Sequence, residues 1–158
     1  MLDDLRDLYQ EVILDHGKNP RNFGHAEGAN REAKGENPMC GDKFVVSLKL
    51  NDDDVVESCA FLGKGCAIST ASASMMTEIV KGRTAEQARA LFAAFHDLCT
   101  KDEDEQSPHP DVAEDDMERL MVMAGVRQFP VRVKCATLAW HAMRAALDGV
   151  ETASSDIY

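Results

Sequence analysis

The chain has 158 residues, 44% of them hydrophobic and 28% charged, which is typical of one globular domain that buries its own core. Its 28 acidic and 17 basic residues give a formal net charge of −11, which argues against nucleic acid or an anionic membrane as the main partner. The N-terminus lacks the apolar core of a signal peptide, and no apolar run approaches the ~20 residues that span a bilayer.

The first part of the chain predicts one helix and one loop. Apolar residues recur at helical spacing over residues 3–16 and predict an amphipathic helix. Residues 19–38 show no periodic pattern of apolar residues and are rich in glycine and polar residues, so we expect a loop that crosses the surface. His16 and His25 lie at the edges of this loop and are expected to be solvated or to cap it.

Two strands are predicted next. Residues 44–50 alternate between apolar and polar and predict a half-buried strand. Residues 55–62 predict a second strand, and the polar turn between the two joins them into an antiparallel hairpin. Cys59 lies inside the second strand, where we expect a small buried thiol.

Two helices are predicted after the hairpin. The first follows Cys66 and ends at Gly82, with its apolar residues at helical spacing. The second begins at Thr84, where the sequence through Gln87 is typical of a capping box. Cys99 lies on the apolar face of this second helix and is expected to be structural.

The last third of the chain alternates between polar segments and helices. Residues 101–116 are acidic and irregular and predict an exposed loop, which residues 117–124 follow as a short helix. Residues 128–135 lead into the last helix, and the polar tail 151–158 is expected to fray. The order of elements predicts an α+β fold, a small antiparallel β-sheet packed against several helices, in a single domain 1–158.

One tight turn carries both a thiol and a carboxylate. Its sequence is Asn37-Pro38-Met39-Cys40-Gly41-Asp42. Pro38 fixes its own φ, and Gly41 permits backbone conformations that other residues avoid. Cys40 and Asp42 can therefore face one point, as a metal ion or a sulfur relay requires.

Two further cysteines have surroundings that favour the thiolate. Cys66 and Cys135 each lie at or just before the first turn of a predicted helix, where unpaired N–H groups and the helix dipole lower a thiol's pKa. Lys64, Arg132 and Lys134 add positive charge nearby. The odd number of cysteines, five, and the absence of an export signal favour reduced thiols in the cytoplasm, used for metal binding or thiol chemistry.

If Cys40, Asp42, Cys66 and Cys135 converge, they form a tetrahedral site of three thiolates and one carboxylate. Thiolates favour zinc or iron–sulfur ligation over magnesium or calcium. Structural zinc sites generally use Cys and His alone, so the carboxylate indicates a site that can open and release Cys40 as a nucleophile.

Three motifs in one order carry a resemblance to a known family. They are Asn-Pro-Met-Cys40-Gly-Asp42, Gly63-Lys-Gly65-Cys66-Ala-Ile-Ser-Thr-Ala-Ser-Ala-Ser-Met-Met, and Arg132-Val-Lys134-Cys135-Ala-Thr-Leu-Ala-Trp. Together they resemble the iron–sulfur cluster assembly family of IscU and the N-terminal domain of NifU, over nearly the entire chain. The resemblance implies the IscU/SufU-like fold.

Within that family the chain resembles the SufU branch. Scaffold-type members have a histidine just before the third cysteine, where this chain has Lys134, and residues 101–127 are similar to the insertion typical of SufU proteins. The resemblance implies a zinc-dependent sulfur carrier rather than a site of new cluster assembly. It also implies that Cys40, Asp42, Cys66 and Cys135 are the zinc ligands and that Cys40 accepts the sulfur.

The resemblance implies partners as well. A SufS-type pyridoxal-phosphate cysteine desulfurase would supply persulfide sulfur, and its docking would free Cys40 from zinc to attack the terminal sulfur. Downstream iron–sulfur scaffold proteins would take the sulfur on. Arg132 and Lys134 would steady the thiolate or contact the partner, unless they are ordinary surface charges beside a helix start. The protein would thus be a sulfurtransferase-like accessory rather than a free-standing enzyme.

Three alternatives use the same residues. A scaffold would build an iron–sulfur cluster on the three cysteines and transfer it. A structural zinc module would need the metal for stability alone. A cysteine hydrolase would need a histidine base beside the nucleophile, and none lies close in sequence to the motif cysteines, which leaves only His96 or His141 as bases brought near by the fold.

Overall fold

The computed structural model describes residues 2–101 and 103–154, with residues 2–8, 103 and 152–154 described by their backbone alone. The α-helices in this part of the chain are α1 (Leu2–Lys18), α2 (Ala67–Val80), α3 (Ala85–Thr100), α4 (Glu114–Met121) and α5 (Pro130–Leu147). The strands are β1 (Arg31–Asn37), β2 (Asp42–Leu50), β3 (Val56–Lys64) and β4 (Thr152–Ser154).

The strands form one sheet in the order β3-β2-β1-β4. The predicted hairpin is β2 and β3, which pair antiparallel with Leu48 opposite Cys59. β1 pairs antiparallel with the other side of β2, and β4 pairs parallel with β1. The predicted α+β fold with a small sheet packed against helices is confirmed.

The expectation of a loop over residues 19–38 is wrong for its last part, because β1 occupies Arg31–Asn37. Its inward positions are Ala33, Gly35 and Asn37, which are buried while their neighbours are exposed. None of the three is a large apolar residue, so the strand shows no alternation in hydrophobicity. A Cβ at Gly35 would lie 3.1 Å from a methyl of Leu138, so the approach of α5 requires small residues there.

The core lies between the sheet and the helices α2, α3 and α5. Trp140 on α5 is 1% exposed and stacks on Phe95 of α3 with ring centroids 4.6 Å apart. Its indole N–H donates to Ser72 on α2 at 3.2 Å, so one buried side chain joins three helices. Burial of such a side chain contributes about 3 kcal/mol or more to stability.

The structure corrects the reading of the acidic segment. α4 begins at Glu114, ahead of the predicted start at 117, and a 3₁₀ turn over Ala124–Gln128 follows it. Asp116 does not face solvent, because it is 6% exposed and accepts a hydrogen bond from the guanidinium of Arg83 at 2.8 Å. The ion pair ties this segment to the turn before α3.

Two further expectations are corrected at the chain's ends. The tail does not fray immediately after 151, because β4 pairs with β1 over Thr152–Ser154; residues 155–158 lie outside the described part. His16 is 8% exposed rather than solvated. Its Nδ1 lies 2.7 Å from Ser74 Oγ, which places the ring between α1 and α2.

None of the helices in the described ranges combines the length and the apolar character that crossing a membrane requires.

His141 gives the fold a measurable pH dependence. It packs edge-on against Phe92 with ring centroids 5.0 Å apart, and burial, together with the charges of His96 and Arg144, lowers its pKa from 6.5 to about 4. In the unfolded chain His141 therefore takes up a proton below pH 6.5, whereas in the folded chain it is not protonated until the pH falls to about 4. Stability must fall as the pH falls through this window, by at most about 1.4 kcal/mol per pH unit for one proton.

We expect His141→Phe, which keeps a ring against Phe92, to lose less free energy of unfolding between pH 7 and pH 5 than the wild type. Urea unfolding of both proteins at the two pH values measures the difference. Equal losses in the two proteins would contradict the assignment, since His96 and the carboxylates titrate in both.

Candidate metal and thiol site

The site is built on the turn that joins β1 to β2. Asn37 and Asp42 are the paired residues at its two ends, and the Cys40 amide donates to the Asn37 carbonyl at 3.2 Å. Gly41 has φ of +71°, a conformation that glycine adopts without strain. The predicted tight turn is therefore the tip of a hairpin, and it directs Cys40 and Asp42 to the same side.

Cys40, Asp42 and Cys135 converge. One possible ligand atom from each, a sulfur or a carboxylate oxygen, lies within 4.8 Å of those of the other two. Asp42 and Cys135 are fully buried, whereas Cys40 is half-buried and retains access to solvent. Cys66 is not part of this tight group, but its thiol contacts that of Cys135.

Asp42 joins the turn to the second motif. Its Oδ1 accepts a hydrogen bond from the Cys66 amide at 2.9 Å. Its Oδ2 is buried and has no hydrogen-bond partner in the described part of the chain. A buried carboxylate oxygen without a donor is costly unless something else, such as a cation, satisfies it. A Cβ at Gly65 would lie 2.9 Å from Oδ1, so glycine is what leaves room for this arrangement.

The two helix cysteines occupy different positions. Cys66 is the N-cap of α2 with extended backbone, as predicted, so its thiol lies near the unpaired N–H groups of the first turn. The expectation that Cys135 has the same placement is wrong. Pro130 occupies the first turn of α5, where its missing N–H costs nothing, and Cys135 follows in the second turn.

The thiols of Cys66 and Cys135 have opposite pKa shifts. A hydrogen bond from Cys135 and others from Ser69 lower the pKa of Cys66, against the effect of burial. The same contact with Cys66, together with burial and Asp42, raises the pKa of Cys135. The first of the two thiols therefore ionises readily, and the second ionises only when a cation or a stronger donor compensates its charge.

Arg132, one of the three cations suggested by the sequence, interacts with the thiols. Its guanidinium contacts Cys135, and the thiols of Cys135, Cys66 and Cys40 raise its pKa. Its side chain is exposed, and so is that of Lys64, while Lys134 is half-buried.

The remaining cysteines and the histidine pair lie apart from this chemistry. Burial raises the pKa of both Cys59 and Cys99 to about 12, so neither thiol is reactive near neutral pH. His96 and His141 pack against each other with ring centroids 5.9 Å apart. His141 also packs edge-on against Phe92 of α3, so this pair of rings belongs to the contact between α3 and α5.

Sequence reasoning missed two polar neighbours of the thiols. Asn37 is 1% exposed, and its side-chain amide donates to Cys135 Sγ at 3.8 Å. Ser69 is fully buried, with its Oγ 3.5 Å from Cys66 Sγ. Only the spacing of three residues from Cys66 to Ser69 on a helix could have indicated the second contact.

Comparison with known proteins agrees with this architecture. Residues 8–136 match the family model for the NifU-like N terminal domain. The zinc-dependent sulfurtransferase SufU of Bacillus subtilis is 42% identical over 136 residues, covering 86% of this chain and 86% of that protein. The iron–sulfur cluster assembly scaffold protein IscU of Streptococcus pyogenes is 39% identical over 146 residues, covering 92% of this chain and 86% of that protein.

A solved structure shares the fold as well. The crystal structure of a candidate iron–sulfur cluster assembly scaffold protein for the SUF system of Fervidobacterium islandicum superposes with a TM-score of 0.75 at 28% identity, covering 87% of this chain and 94% of that one. This chain therefore belongs to the NifU-like N-terminal domain family, which acts in iron–sulfur cluster assembly and includes IscU and SufU.

Proposed function

We propose that this protein is a zinc-dependent sulfur carrier that accepts persulfide sulfur onto Cys40 from a pyridoxal-phosphate cysteine desulfurase of the SufS type. The observation that carries the proposal is the convergence of Cys40, Asp42 and Cys135, with the two partners buried and Cys40 open to solvent. One thiol of the group is thus available to a second protein. The name of the Bacillus subtilis relative, a zinc-dependent sulfurtransferase, points the same way.

The donor set fits zinc. Thiolates with a carboxylate are suitable zinc ligands, and the lone Asp42 Oδ2 is the buried oxygen that a cation would satisfy. We propose Cys40, Asp42, Cys66 and Cys135 as the ligands, with Cys66 drawn in by its contact with Cys135. Zinc, when bound, would hold the cysteines as thiolates at neutral pH.

The sulfur transfer itself needs no external oxidant. The Cys40 thiolate attacks the terminal sulfur of the desulfurase persulfide, a new S–S bond forms on Cys40, and the old S–S bond breaks. Its electron pair leaves with the desulfurase cysteine as a thiolate. Arg132, whose guanidinium lies beside the thiols, stabilises negative charge during the exchange. Downstream iron–sulfur scaffold proteins then receive the sulfur.

The surface around Cys40 suits a protein partner. Met39, which precedes Cys40, is 78% exposed, and Phe129 and Val131 at the start of α5, the helix that carries Cys135, are 62% and 56% exposed. Large exposed apolar side chains of this kind mark interaction sites. Lys43 and Arg132 are exposed nearby and make this rim basic in a protein of net charge −11, so a partner with an acidic rim would be favoured.

Two other inferences from the resemblance accompany the proposal. The segment 101–127, as an insertion typical of SufU proteins, favours a carrier over a scaffold. All five cysteines are free thiols, as the reducing cytoplasm that we propose for this protein would keep them.

The second candidate function is a scaffold for iron–sulfur cluster assembly. The Streptococcus pyogenes relative is named as such a scaffold, and it is nearly as similar to this chain as the sulfurtransferase. A scaffold would use the same three cysteines. Lys134 in the position of the scaffold histidine makes the carrier the better-supported function.

Mass spectrometry after incubation with a cysteine desulfurase and free cysteine tests the carrier function. We expect zinc-loaded wild type to gain sulfur on the peptide containing Cys40, and Cys40→Ala to gain none, because the other two site thiols are less accessible or hydrogen-bonded. Cys99→Ala is the matched control and should behave as the wild type does.

An unmodified Cys40 in protein that retains its zinc would argue against the carrier. Reconstitution with iron and sulfide would then separate the two rivals that remain. A visible iron–sulfur absorption would support the scaffold, and its absence would support a structural zinc module.

A further inference from the structure

The three site thiols differ in the donors around their sulfur atoms. Asn37 is buried at the end of β1, and its Nδ2 donates to Cys135 Sγ at 3.8 Å. Because Asn37 is paired with Asp42 across the turn, the same hairpin that places the carboxylate also fixes this amide. The amide side chain is 1% exposed, so water does not compete with the sulfur for its N–H groups.

Cys66 has donors of its own. Ser69 Oγ lies 3.5 Å from Cys66 Sγ, and the Ser69 backbone also hydrogen-bonds to this thiol. The hydroxyl otherwise donates to the Cys66 carbonyl at 3.1 Å, and its single proton can turn to the sulfur when that sulfur is a thiolate. Ser69 is fully buried in the first turn of α2.

Cys40 differs from both. Among the residues that the structure describes, the side-chain hydrogen bond of its sulfur is with the Cys135 thiol, which is a weaker donor than an amide or a hydroxyl group. Exposure alone does not separate it from Cys66, because both are half-buried. The two thiols differ in their hydrogen-bond donors, because Cys66 has the Ser69 hydroxyl beside its sulfur.

A donor changes what a thiolate does. A charge-assisted hydrogen bond draws electron density from sulfur, which stabilises the thiolate as a ligand and makes it a weaker nucleophile. We infer that Asn37 and Ser69 are specificity-determining positioning residues, which keep Cys135 and Cys66 unreactive so that Cys40 is the thiolate that reacts. The inference rests on the proposed function for its purpose, since it explains why sulfur would be accepted at Cys40.

Competitive alkylation measures this selectivity without any desulfurase. Zinc-loaded protein is treated at fixed pH with limiting iodoacetamide, and peptide mass spectrometry gives the ratio of modification at the three cysteines. We expect the wild type to react first at Cys40. In Ser69→Ala the ratio of Cys66 to Cys40 should rise about three- to tenfold, the effect of losing one hydrogen bond to a charged group. Asn37→Ala should raise the ratio of Cys135 to Cys40 less, because Cys135 is fully buried.

Two additional measurements separate selectivity from structure. Ser58→Ala removes a half-buried hydroxyl on β3 that donates to the Glu27 carbonyl, and its ratios should match those of the wild type. In cobalt-substituted protein, the sulfur-to-metal charge-transfer band should move to lower energy in both Asn37→Ala and Ser69→Ala, because unbonded thiolates donate charge more readily. A purely structural loss would not move this band in a fixed direction.

Unchanged modification ratios in both alanine variants would overturn the inference. Loss of zinc from both would overturn it too, since the two residues would then serve metal retention rather than selectivity. The sulfur carrier can fail separately: a wild type that is alkylated first at Cys40 but accepts no sulfur from a desulfurase would contradict the proposed function and leave the selectivity intact.

Discussion

Zinc added to the metal-free protein is expected to raise its free energy of unfolding by about 4 kcal/mol at a thousandfold excess over Kd. The physical reason is that the folded chain brings ligand atoms of Cys40, Asp42 and Cys135 within 4.8 Å of one another, whereas in the unfolded chain Cys135 is far from the other two. Bound zinc would also satisfy Asp42 Oδ2, the buried oxygen without a donor in the described part of the chain. Urea unfolding with and without zinc measures the change.

Cys135→Ser should abolish most of this stabilisation. The serine hydroxyl is a poor ligand for zinc and does not ionise near neutral pH, so one of the three converging ligand atoms is lost. Cys99→Ser makes the same change to a buried thiol on α3, outside the site. It should lower the stability of the metal-free protein and leave the zinc effect unchanged. A zinc effect of the same size in Cys135→Ser and the wild type would remove Cys135 from the ligand set.

The elements that the sequence predicts well are those whose burial alternates between large apolar and polar residues. β2 is of this kind, as is α3 with its capping box, in which Thr84 accepts from the Gln87 amide. β1 could not be recognised because its inward residues, such as Ala33 and Gly35, are small. Their size is dictated by the approach of Leu138, which is known only once α5 is packed on the sheet.

The site likewise has a part that the sequence predicts and a part that it does not. The turn that carries Cys40 and Asp42 follows from Pro38, Gly41 and the residues between them, because its geometry is local. The sequence predicts Cys135 too near the helix start, because α5 begins five residues earlier, with Pro130 in its first turn. The contacts from Asn37 to Cys135 and from His16 to Ser74 span 98 and 58 residues, so no local pattern could predict them.

Gly63→Ala is expected to cost at least about 3 kcal/mol of stability, the scale of backbone strain combined with a steric clash. Gly63 has φ of +141°, and a Cβ there would lie 2.0 Å from the carbonyl oxygen of Lys43. That oxygen belongs to the neighbouring strand β2, one residue after Asp42, so it cannot move without shifting the carboxylate. We therefore expect zinc affinity to fall together with stability.

Gly125→Ala is the matched control for this substitution. Nothing lies within 4 Å of a Cβ at Gly125, and its φ is not in the positive range, so alanine there should be neutral or should stabilise the protein by up to about 1 kcal/mol. Urea unfolding of the two variants, with zinc titration of whatever remains folded, tests both statements. If Gly63→Ala lost less than about 1 kcal/mol, β2 and β3 would have to separate more easily than their pairing implies. The close approach of Gly63 on β3 to the Lys43 carbonyl would then not determine the position of Asp42 in the site.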